Sequence, residues 1–100
     1  MTIAYITCKD RNEAKKISSQ LLKKKLIACA NIFPVESMYR WEGKIVNENE
    51  SAIFAKISAN RFDEVVKETE KLHSYKVPCI MKIDGKINPK YGKWLKGILK

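Results

Sequence analysis

A transition-metal site needs soft or imidazole donors that converge on one point. This chain carries three cysteines, Cys8, Cys29 and Cys79, and a single histidine, His73. No Cys-x₂-Cys or His-x₃-His pair brings two of them together through local spacing. Cys8 and His73 are nevertheless the candidate ligands. Each also has a plain alternative. Cys8 ends a strand-like run, where a buried free thiol packs as a small hydrophobe. His73 falls in the last turn of a helical pattern, where the macrodipole favours its protonated form. Met38 and Met81 are thioethers whose expected role is packing.

A second set of residues points to ligand binding at a contact between subunits. Tyr39, Trp41, Tyr75, Tyr91 and Trp94 supply aromatic surface, and Lys56 supplies a cation. Lys56 sits inside Phe54-Ala55-Lys56-Ile57, an apolar strand in which a lysine needs a partner or must lay its stem along apolar surface. Glu48 or Glu50 from the facing arm is a candidate partner.

The elements that must position these groups are legible in the pattern. Residues 2–8 read as a strand. Asp10 and Glu13 have the form of a capping box, and the following helix carries Ala14, Ile17 and Leu21 on one stripe to about Lys25. Lys23-Lys24-Lys25 then falls at the helix end, where the macrodipole favours cations. Residues 26–33 are continuously apolar, as expected of a strand covered on both faces, until Pro34 interrupts them at an edge or a bulge. The chain continues extended to Trp41, turns at Glu42-Gly43 and returns through Ser51–Ser58 as an unusually long hairpin. Asn60 is the expected N-cap of a second helix bearing Phe62, Val65, Val66, Thr69 and Leu72, with Asp63 and Lys67 paired on its surface. Pro78 opens a fourth strand to Asp84, and Asn88-Pro89 opens a short amphipathic C-terminal helix.

The order implies one α+β domain over residues 1–100, a ferredoxin-like βαββαβ arrangement with a short C-terminal helix and a long hairpin between the second and third strands. Two helices cover one face of such a sheet. The other face and the hairpin, with Met38, Tyr39 and Trp41, exceed what one short helix can hide. Self-association with closed symmetry is the expected consequence.

Composition narrows the function classes. The net charge is +9, from 20 Lys+Arg against 11 Asp+Glu. Only Arg11, Arg40 and Arg61 are guanidinium, whereas phosphate recognition favours the planar fork of arginine. An RNA-binding module of this fold would stack bases on Tyr5 and Phe54, but Ser51–Ser58 lacks the glycine-aromatic pattern such strands carry. An acylphosphatase-like enzyme would need a glycine-rich anion loop after the first strand; Thr7-Cys8-Lys9-Asp10-Arg11 contains no glycine and places a carboxylate there. No apolar run is long enough to span a membrane, so no membrane partner is expected. The first residues show no secretory pattern. The odd, scattered cysteines fit a reducing compartment.

Three tracts resemble the CutA family of divalent-cation tolerance proteins. They are Ala28-Cys29-Ala30-Asn31-Ile32-Phe33-Pro34 with Met38-Tyr39-Arg40-Trp41-Glu42-Gly43-Lys44, then Leu72-His73-Ser74-Tyr75-Lys76-Val77-Pro78, and finally Asn88-Pro89-Lys90-Tyr91-Gly92-Lys93-Trp94-Leu95. The resemblance implies a cytoplasmic, very stable homotrimer of ferredoxin-like subunits. It implies a role in tolerance of divalent metals, copper above all, through weak metal or ligand binding, without catalysis and without a required cofactor. It also implies an architecture like that of the PII signalling proteins, hence a small-ligand sensor as an alternative. Some family members link copper to a first-strand cysteine and a His-His pair. The first of these positions aligns here with Ile6, two residues before Cys8, and the pair reads Leu72-His73. Any Cu(II) site would therefore rest on Cys8 and His73.

Overall fold

Hydrophobic alternation along strands and a 3.6-residue stripe along helices can be buried together only by stacking one on the other. In the computed structural model, which describes residues 1–99, β1 (Thr2–Cys8) leads to α1 (Arg11–Lys23), β2 (Ile27–Trp41) and β3 (Lys44–Ile57). A short 3₁₀ turn at Ala59–Arg61 then enters α2 (Phe62–Leu72), followed by β4 (Ile80–Asp84) and α3 (Pro89–Ile98). The four strands form one antiparallel sheet in the order β2-β3-β1-β4. This is the α+β, ferredoxin-like arrangement that the element order implies.

The core lies between the sheet and the first two helices. Ala4, Ile6 and Cys8 of β1 and Ile53, Ala55 and Ile57 of β3 meet Ala14, Ile17, Leu21 and Val65. The register pairs Ala4 with Ala55 and Ile6 with Ile53, so one face of the two central strands is a single apolar layer. The opposite face carries Tyr5, Phe54 and Phe33, whose rings meet edge to face at 5.8 and 5.5 Å. Met81, 49% exposed, and Ile83 extend that face toward β4. α3 covers its lower end, with Leu95 buried.

β2 departs from the sequence expectation in two ways. Its edge position agrees with Pro34, but all its residues except Ile27 are half-buried or exposed rather than covered on both sides. It also runs unbroken through Pro34, because an edge strand tolerates a missing N–H. The irregularity in its register lies earlier, between Ile27 and Cys29. The hairpin closes at Glu42-Gly43 with φ of 50° and 76°, the paired left-handed conformation of a two-residue turn. Its arm carries the molecule to 46 Å in length.

The helix termini supply further corrections. Asn60 does not cap α2: Arg61 occupies the cap position, and the Asn60 side chain accepts from the Ser58 hydroxyl. The ion pairs of α2 run through Glu64 to Arg61 and through Glu68 to Lys24, which ties α2 to the end of α1. Asp10 caps α1 as expected, accepting from the Glu13 amide at 2.8 Å. Glu13, however, reaches one residue past its cap, to the amide of Lys9 at 3.0 Å.

Candidate functional site

Glu13 lies at position i−4 from Ile17 on the buried stripe of α1, so its carboxylate is carried inward, 7% exposed. There it meets Cys8 from the end of β1 and His73 from the C-cap of α2. One donor atom from each of the three lies within 4.8 Å of the others. Cys8 and His73, the two candidate ligands in the sequence, are thus brought together. Glu13, the third member, reads in the sequence only as a capping residue. The available signal is a carboxylate on an apolar stripe.

The imidazole and the carboxylate of this cluster are already engaged. Nε2 of His73 donates to the Thr7 carbonyl at 2.7 Å, since a carbonyl can only accept. Nδ1 accepts from the Tyr75 amide at 3.1 Å, which fixes a neutral ring protonated at Nε2. One oxygen of Glu13 accepts from Lys9 and the other from the Ser74 amide at 2.9 Å. Burial opposes the ionised form of this carboxyl, yet the hydrogen bonds from Ser74 and Lys9 bring it below the ordinary carboxylate range. The Cys8 thiol is pushed up to about 12, first by burial and then by the charges of Glu13, Glu50 and Asp10. The cluster is therefore a hydrogen-bonded clasp joining the β1–α1 turn to the segment after α2. Cys8, Glu13 and His73 offer sulfur, oxygen and nitrogen of suitable kinds to a soft divalent ion. Ligation requires the thiol proton to leave and, at Nδ1, the Tyr75 amide to be displaced.

Beside the clasp lies a cleft of about 510 Å³. Thr7, Tyr39, Trp41, Glu48, Glu50 and Tyr75 line it. Thr7 and Tyr75 thus belong to both features. The Tyr39 hydroxyl donates to Glu48 at 2.6 Å, and the Tyr75 hydroxyl donates to Glu50 at 2.6 Å. The Glu48 hydrogen bond raises the Tyr39 phenol to about 12. Burial, then the Glu50 hydrogen bond, raises Tyr75 also.

Within one chain the six pocket residues fall into two groups. Tyr39, Trp41 and Tyr75 line the cleft. Lys56, Tyr91 and Trp94 gather under α3, where the Tyr91 and Trp94 rings lie 5.3 Å apart. The expected pairing of Lys56 with Glu48 or Glu50 does not form. Both carboxylates accept from tyrosines, and Lys56 donates instead to the Tyr91 hydroxyl at 3.1 Å. The strand pattern predicts neither contact, because α3 folds back over the sheet from 35 residues away.

The family model for the CutA1 divalent ion tolerance protein matches residues 2–97. The chain belongs to the CutA1 family. The divalent-cation tolerance protein CutA of Archaeoglobus fulgidus is 47% identical over 79 residues, which is 79% of this chain and 78% of that protein. A solved structure from the same organism, described as a periplasmic divalent cation tolerance protein CutA, superposes with a TM-score of 0.95 at 38% identity over the whole of both chains. The PII-like protein CutA from Nostoc is similar at a TM-score of 0.89 and 25% identity, covering 100% of this chain and 98% of that one. The relatives thus include both proteins named for divalent-cation tolerance and one described as PII-like.

Proposed function

We propose that this chain binds a soft divalent cation, Cu(II) foremost, weakly and without catalysis, at Cys8, Glu13 and His73. The observation that carries this reading is the convergence of thiol, carboxylate and imidazole within 4.8 Å. Weakness follows from the cost of entry: a raised thiol must lose its proton, and a buried Tyr75 amide must lose its acceptor. Binding is then coupled to movement of the segment at Ser74 and Tyr75, which is how a clasp reports its occupant. The test is calorimetric titration with Cu(II) and Zn(II) at neutral pH. Wild type is expected to bind with micromolar or weaker affinity. A Cys8→Ser, His73→Ala double variant that stays folded is expected to lose that binding. Unchanged affinity in the variant overturns the assignment.

The working state in this reading is a cytoplasmic homotrimer with no required cofactor. Support comes from the uncovered sheet face, the exposed edge of β2, and the large apolar groups on the arm, Met38, Trp41 and Ile45. The free state of Cys8, Cys29 and Cys79 suits a reducing compartment. A single-chain mass by light scattering at micromolar concentration refutes the trimer. The PII-like alternative draws on one observation: Tyr75 and Thr7 line the cleft and also hold His73, so a small molecule bound there acts on the same clasp.

A further inference from the structure

The net charge of this chain is not evenly spread. Residues 74–100 carry seven lysines and one carboxylate, a net +6 of the whole +9. The cation-binding reading leaves this surplus unused. The one carboxylate, Asp84, accepts from the Thr2 hydroxyl at 2.8 Å, across the sheet. Among the described residues, Lys86, Lys90, Lys93 and Lys96 enter no ion pair, whereas Lys24 and Lys71 share Glu68, and Arg61 holds Glu64. Nor does the macrodipole explain these lysines as it explains Lys23-Lys24-Lys25. Lys90 stands in the first turn of α3, the end at which a cation is disfavoured.

Tertiary structure gathers three of these lysines. A shallow basin of about 590 Å³ lies between the loop after β4 and α3. Lys86 comes from the loop, and Lys93 and Lys96, one turn apart, come from α3. Gly92 sets how closely the two walls approach. Glycine inside a helix is unfavourable against alanine, but a Cβ here would stand 3.1 Å from the Ile87 side chain. The bare backbone thus lets α3 close on the loop. Among the described residues, no carboxylate lines the basin, and its three lysines are exposed. The basin sits at the end of the sheet where Thr2 pairs with Ile57 and Asp84, opposite the arm. Tyr91 turns to the open sheet face, where it meets Lys56, and Lys93 and Lys96 lie on another side of α3. The basin is therefore clear of the face and the arm that the proposed trimer covers.

We propose that this basin binds a small anion carrying two or three adjacent phosphates. Lysine meets phosphate as a point charge, and several lysines on one concave surface answer several charges held close together. Asn88, whose side chain makes no capping bond to α3, adds an amide donor on the same wall. Other occupants fit less well. A second copy of the chain would bring the same uncompensated cations together, and like charges across a contact oppose it. A bilayer is flat, whereas the site is concave. A nucleic-acid base needs an aromatic platform, and no aromatic residue lines the basin among the described residues. Point charges count phosphates rather than read shape. Affinity therefore rises from orthophosphate to pyrophosphate to triphosphate, and salt screens it.

The test is calorimetric titration of the purified full chain with inorganic triphosphate, pyrophosphate, orthophosphate and sulfate at one fixed ionic strength. Wild type is expected to bind triphosphate about tenfold or more tighter than orthophosphate or sulfate. A Lys86→Gln, Lys93→Gln, Lys96→Gln variant is expected to weaken triphosphate binding by about tenfold or more. A Lys15→Gln, Lys16→Gln, Lys23→Gln variant removes the same charge from the exposed side of α1 and is expected to change it less than about twofold. A nucleoside triphosphate that binds as tightly as inorganic triphosphate supports the phosphate chain as the part recognised. Equal weakening in the two variants marks diffuse attraction to a cationic surface and overturns the site. Absence of triphosphate binding to wild type overturns it also. So does an RNA oligonucleotide that binds through the three basin lysines and is not displaced by triphosphate.

Discussion

Two cysteines in this chain differ in what surrounds them more than in how deeply they lie. Cys8 is completely buried against helices, faces carboxylates, and its neighbours are saturated with backbone hydrogen bonds. Cys29 lies on the opposite face, 3.5 Å from the Tyr91 phenol to which Lys56 donates. The first environment raises a thiol and makes it inert; the second sets polar hydrogen-bonding groups beside the sulfur. Burial alone does not sort structural from reactive groups. The sign of the nearby charge, and whether nearby groups have anything left to donate, do so.

The comparison predicts its largest effect in thiol labelling. Cys8 is expected to react with an aromatic disulfide reagent only on global unfolding, worth about 5–15 kcal/mol for a typical domain, whereas the exposed Cys79 reacts in the native state. Rapid native labelling of Cys8 breaks the contrast. Removing the clasp's acceptor comes next. Glu13→Ala strands the Lys9 and Ser74 amides and is expected to cost about 2–4 kcal/mol in chemical denaturation. A cost under about 1 kcal/mol means the amides find other partners. His73→Ala removes two further backbone partners, with an expected loss of about 1–3 kcal/mol.

The pH dependence is smaller and has a definite sign. The Glu13 carboxyl is lower in the folded state than its ordinary 4.5, so its contribution is present above that value. Stability is lost as pH falls through the lowered folded value. Glu13→Gln is expected to flatten this part of the acid limb, and an unchanged limb refutes the role. The smallest effect has the opposite direction. The Thr69 hydroxyl is buried without a partner at the helix contact, so Thr69→Val is expected to be neutral or to stabilise by up to about 1 kcal/mol, read from the denaturation midpoint.

The readable parts of the sequence are those with local causes. Ala14, Ile17 and Leu21 define α1, and Asp10 defines its start. Glu42-Gly43 fixes the turn, and the tract 28–44 carries the family likeness. Asn60 was misread because a 3₁₀ turn intervenes before α2, a choice made by how the chain leaves β3 rather than by capping preference. The double covering expected for β2 failed because apolar continuity is the same for a buried strand as for an edge that carries an open face.

Sequence alone determined the element order, the family and the inventory of one imidazole and three thiols, because periodicity, caps and residue types are properties of neighbours along the chain. Tertiary structure decided which donors meet. Glu13 and Ser74 are 61 residues apart, Thr7 and His73 are 66 apart, and Cys29 and Tyr91 are 62 apart. Such pairs depend on strand register and on where α2 and α3 return to the sheet. A shift of one residue in register turns each side chain to the other face, and no local pattern records that outcome.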